Sequence, residues 1–116
     1  MPINNADFAQ TINSAYDQLR QFSEEESGQI PMPGKWSKKQ IIGHLIDSAS
    51  NNHQRFVRAQ QTPDLHLPGY AQMDWVKLQN YHTESWEPLL MLWKCYNQHL
   101  AHVIANISEE KSPLPL

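Results

Sequence analysis

The chain has 116 residues, a formal net charge of −3 and one cysteine. That length builds one hydrophobic core and not two, and a mildly acidic balance without any basic run excludes the electrostatic footprint of nucleic-acid binding. Lone Cys95 excludes an internal disulfide framework and suits a reducing cytoplasm. The start, Met1 to Asn5, has neither the charged nor the apolar region of a signal peptide. No apolar run approaches the roughly 20 residues that cross a bilayer. The expectation is one soluble, cytoplasmic domain over residues 1–116 with no membrane partner.

In chain order, Phe8, Ile12, Ala15, Leu19 and Phe22 alternate spacings of four and three, which predicts a first helix with a narrow apolar stripe. Asn4 or Asn5 can cap its start. The run Glu24-Glu25-Glu26-Ser27-Gly28 reads as the turn that ends it. A second helix is predicted from about Ser37 to Gln60. Ser37 and Gln40 stand in capping-box relation, and Ile42, Leu45, Ile46, Ala49, Phe56 and Val57 form the apolar stripe. Thr62 to Tyr70, with two prolines and a Pro-Gly pair, reads as a loop. Asp74 to Tyr81 reads as a short helix crossing the bundle end. A third long helix runs from about Trp86 to Ile107 on Leu89, Trp93, Tyr96, Leu100, Val103 and Ile107. Pro88 is tolerated in its first turn, where an N–H would have no partner. The tail from Ser112 to Leu116 cannot be helical. No strand pattern emerges, so the fold class is all-α.

A helical wheel centred on Ile42, at about 100° per residue, places His44 opposite the stripe. Ser48, Asn51 and Arg55 follow in the same row, with Asp47 and Asn52 flanking it. Ser and Asn are poor helix formers that compete with the backbone for hydrogen bonds. Such a row reads either as the polar lining of a cleft or as a plain surface face. His53, inside the stripe, reads as a half-buried histidine bonded to a neighbouring helix. His99 and His102 form an i, i+3 pair, but on different sides of the third stripe. His66 and His82 read as surface residues. Cys95, one turn from His99, reads as an inert small hydrophobe beside the core. No phosphate loop, CxxC or HExxH motif is present, and no nucleophile is assigned.

Lys35-Trp36-Ser37, His44-Leu45-Ile46-Asp47-Ser48 and Asn52-His53-Gln54-Arg55-Phe56 resemble the DinB-like superfamily. So do Pro68-Gly69-Tyr70 with Trp75, and Trp93, Tyr96-Asn97 and His99-Leu100. The nearest likeness is the YfiT branch of metal-dependent hydrolases and bacillithiol transferases. The resemblance implies an up-down four-helix bundle that binds zinc or nickel through three histidines, the first matching His44. It implies chemistry in which the metal activates a water or a low-molecular-weight thiol against a small-molecule substrate. Arg55 is then placed to hold a carboxylate, with Asn51 as its neutral partner and Asp47 orienting a metal ligand. The other two family histidines belong to a His-x-x-x-His motif on a fourth long helix, and neither is found in this sequence. The expectation is a bundle of three long helices plus the crossing helix, with divalent metal bound weakly or not at all. The uncovered stripes point to a homodimer. A non-catalytic helical interaction module is the alternative to an enzyme.

Overall fold

The computed structural model describes residues 5–62 and 66–107. Asn4 as a cap, loop residues 63–65 and the tail at 112–116 lie outside the described residues. The expected long helices are present as α1 (Asn5–Leu19), α3 (Lys38–Gln61) and α5 (Trp86–Ala105), and the crossing helix as α4 (Gln72–Leu78). No strand occurs among the described residues. None of their helices is long and apolar enough to cross a membrane.

Helix α5 is the hub. It packs against α1 on one side and α3 on the other, while α4 lies against α3. One cluster joins Ile12 and Tyr16 of α1, Ile42 and Ile46 of α3, Val76 of α4, and Tyr81, Trp86, Leu89, Leu90 and Trp93. Farther along, Ala49, Phe56 and Leu100 form a second cluster with Tyr96, Val103, Ile104 and Ile107 around it. Tyr16 is core although the first stripe omits it; it lies four residues beyond Ile12, and its ring is also covered by the Lys94 ammonium at 4.2 Å.

The cap predicted for α3 is present on both arms: the Gln40 amide donates to Ser37 Oγ at 3.2 Å, and the Ser37 amide donates to Gln40 Oε1 at 2.9 Å. The acidic run is not merely a turn. It forms a short helix, α2 (Glu24–Gly28), because Ser23 and Glu26 make a second capping box. Glu24 then ties three elements together. It pairs with buried Lys39 of α3 and accepts from the Trp86 amide at 2.9 Å, which supplies the start of α5 with the acceptor its own Ser85 side chain does not. The Lys39 bond, followed by the Trp86 amide, holds the Glu24 carboxyl below its ordinary range.

The crossing helix is shorter than the pattern suggested. Asn80 adopts φ 53°, a left-handed conformation that Asn tolerates, and a 3₁₀ turn follows at Tyr81–Thr83. Two members of the predicted α3 stripe are also corrected: Leu45 and Val57 are each 40 % exposed. The real buried face has rotated towards α4, taking in Gly43 and Asp47 instead.

Candidate functional site

Helix α3 carries the polar row, and residues 67–75 come back across it. Between them lies a cleft of about 330 Å³, lined by Ser48, Asn51 and Arg55 on the helix and by Pro68, Tyr70 and Trp75 opposite. The wheel therefore brings three of its four row residues to one concavity. Ser48 and Tyr70 share a hydroxyl–hydroxyl bond of 3.1 Å, which pins the returning chain to the helix. Tyr70 and Trp75 stack edge to face at 5.1 Å between ring centres, an arrangement aromatic quadrupoles favour. Asn51 spends its amide donor on the Asp47 carbonyl at 2.8 Å, leaving its side-chain oxygen as an acceptor. Arg55 is exposed and, among the described residues, makes no hydrogen bond or ion pair. Its fixed positive charge dominates the cleft mouth.

His44, the fourth row member, does not line this cleft. It sits half-buried with its ring 5.3 Å from that of Trp36, and its Nδ1 is shielded from solvent with no hydrogen-bond partner. Nor does Asp47 orient it. Asp47 is 2 % exposed and lines the neighbouring cavity instead, with Tyr81 and Gln79. There its Oδ1 accepts from the Tyr81 hydroxyl at 2.6 Å and from the Gln79 amide at 2.8 Å. Burial, and then the bond to the Asp47 carboxylate, push the Tyr81 hydroxyl well above the ordinary tyrosine range. The network exists because Gly43 leaves room for it: a Cβ there would meet the Tyr81 ring at 2.1 Å. Sequence reading did not find this network. Its one signal was a glycine placed four residues before an aspartate at the edge of an apolar stripe.

The remaining histidines behave mostly as expected. His53 Nδ1 is 2.9 Å from the Tyr96 hydroxyl on α5, the inter-helix bond foreseen for it. The His99 ring stands 5.3 Å from His53 and 6.3 Å from His102. His66 and His82 are exposed. Cys95 is corrected: it is exposed rather than tucked beside the core.

The family model of the DinB superfamily matches residues 7–113, and the chain belongs to that superfamily. No curated protein and no solved structure matches the chain. Among the described residues no group of three or more His, Cys, Asp or Glu side chains is placed to hold an ion, so His44 is not part of a three-ligand set there.

Proposed function

We propose that this DinB-superfamily chain binds a carboxylate-bearing small molecule in the cleft between α3 and residues 67–75. The observation that carries the reading is the unpaired guanidinium of Arg55 at the mouth of a concavity whose far wall is aromatic. A guanidinium presents a planar fork of donors that matches a carboxylate on two bonds. Ser48, Tyr70 and the Asn51 oxygen add neutral polar contacts, and the Trp75 ring supplies apolar area. The arrangement fixes orientation with few groups, as small-molecule clefts commonly do.

The test is calorimetric titration with succinate, alongside the indole N–H resonance of Trp75. Saturable binding is expected, and Arg55→Gln should weaken it about tenfold or more, because a hydrogen bond to a charged group contributes roughly 1.5–3 kcal/mol. Equal affinity in that variant, or no saturation, overturns the reading.

A second reading follows from the unpartnered Nδ1 of His44. In it the chain is a metal-dependent hydrolase or thiol S-transferase, with His44 as one ligand to zinc or nickel. That reading needs two ligands that the described residues do not supply, so we assign binding and no catalytic step. Elemental analysis after dialysis against zinc or nickel separates the two. Well under one ion per chain is expected, and close to one would favour the enzyme.

A further inference from the structure

Beside that cleft, and sharing Ser50 and Trp75 with it, lies a second cavity of about 390 Å³ between α3, α4 and α5. Its lining includes the carboxylates of Asp47 and Glu84 and the rings of Trp75, Tyr81 and Tyr96, with Leu92 at the edge. Among the described residues, no Lys, Arg or His lines it. We propose that this cavity is a binding site for a primary alkylammonium group, with Asp47 as its counter-ion.

Asp47 carries the argument. A carboxylate offers about four acceptor positions on its two oxygens, and here both hydrogen bonds fall on Oδ1. Oδ2 is shielded from solvent and has no partner. An unpaired buried charge is costly, because removal from water is not offset by any protein donor. The group that offsets it best brings both an N–H and a positive charge. Glu84 adds a second negative charge near enough to act on the Tyr81 hydroxyl, so the potential in the cavity repels carboxylates and phosphates. The aromatic walls favour a cation as well, since the face of an indole or phenol ring attracts positive charge. Ile46 and Leu92 provide apolar contact for the chain that carries the amine. A hard divalent cation suits the site poorly. It requires six or more oxygens in its shell, whereas the walls are largely aromatic and aliphatic.

The entrance lies among side chains that can yield. Trp75 is 38 % and Leu92 48 % exposed, and Gln79 and Glu84 are exposed as well. Trp75 also lines the Arg55 cleft, so one ring borders an anion-seeking site and a cation-seeking site. The two assignments are independent, because they rest on opposite charges from different residues.

The experiment is titration of the intact chain with n-butylammonium chloride, read from the indole resonance of Trp75 and the side-chain amide of Gln79, at constant ionic strength with sodium chloride as blank. Saturation in the millimolar range is expected. Asp47→Asn, which still offers an acceptor to Tyr81 and Gln79, should weaken binding about tenfold or more. Glu84→Gln should weaken it several-fold. Because Glu84 is exposed, that variant carries the test if Asp47→Asn does not fold. Tetramethylammonium has no N–H for Oδ2 and should bind about tenfold more weakly than butylammonium, while Arg55→Gln should leave butylammonium binding unchanged. Absence of saturation, equal binding by the Glu84 variant, or equal binding of tetramethylammonium each overturns the proposal.

Discussion

The two sides of α3 began as similar patterns and ended differently. On the side that meets α4 and the 3₁₀ turn, Gly43, Ile46 and Asp47 are buried, and a charged residue is held among aromatic rings by two hydrogen bonds. On the opposite edge Ile41 is 45 % and Leu45 40 % exposed, and the His44 Nδ1 has no partner. An aspartate is inside and a leucine is outside. Hydrophobicity alone ranks them the other way. What decides is which neighbour arrives: Tyr81 and Gln79 bring a hydroxyl and an amide to Asp47, and no described residue brings comparable cover to Leu45.

The sharpest way to break the closed side is Gly43→Ala. The added methyl would fall 2.1 Å from the Tyr81 ring, far inside contact distance, and that ring is backed by the Asp47 bond. Alanine gains about 1 kcal/mol in helix propensity over glycine. Overpacking of a rigid ring typically costs about 1–3 kcal/mol and sometimes more. Displacing Tyr81 also strands Asp47, so the net expectation is a loss of about 2 kcal/mol or more. Urea unfolding measures it. A variant as stable as the parent would show that α4 and the 3₁₀ turn do not hold the position described.

A smaller and more selective probe is Tyr81→Phe, which keeps the ring and removes only the hydroxyl. One hydrogen bond to a buried charged group is lost, so about 1.5–3 kcal/mol is expected. The same hydroxyl sets an alkaline limb. Its folded pKa is raised, so its contribution to stability is fully present below the ordinary tyrosine pKa of about 10. Above that pH the unfolded chain releases the proton and the folded chain keeps it, and stability falls as pH rises. The parent should lose stability above pH of about 10 more steeply than Tyr81→Phe. Parallel limbs would mean that Tyr81 titrates as an ordinary phenol.

Legibility in the sequence followed the same division. The long helices, the Ser37–Gln40 cap and the His53 bond could be read because each depends on residues within one helix, or on one polar group in an apolar stripe. The Ser48–Asn51–Arg55 row was legible for the same reason, being a matter of helical period. The partners of Asp47 were not. Tyr81 and Gln79 lie 34 and 32 residues away, and their arrival depends on the turn that Asn80 makes with φ 53°. The Glu24 link to Lys39 and Trp86 was illegible too, since it joins three elements whose packing no local pattern fixes. The aromatic wall of the cleft was half visible: Tyr70 and Trp75 stood out as motif residues, but their return across α3 depends on the path of the intervening chain.

The open edge should give the smallest effect on folding. In the single chain Ile41 and Leu45 keep 45 % and 40 % of their surface in water, and the methylene stem of Gln retains part of the covered remainder, so the double substitution Ile41→Gln, Leu45→Gln gives up only a fraction of a core side chain's burial. Surface changes of this kind usually fall within about 0.5 kcal/mol, and helix propensity barely changes because Gln is as good a helix former as Leu. Unfolding at low protein concentration should therefore be nearly unaltered. Association is a separate matter. The homodimer expected from the uncovered stripes would bury this edge against a second copy, and each substitution would then place an amide in an apolar contact. Light scattering at micromolar concentration reads that directly: a dimer mass for the parent and a monomer mass for the double variant would assign the edge to the interface. A monomer mass for the parent rejects the homodimer. A dimer mass unchanged by the substitutions moves the interface away from α3, towards Met91 of α5 or Met73 and Leu78 of α4, which are 44 %, 74 % and 76 % exposed.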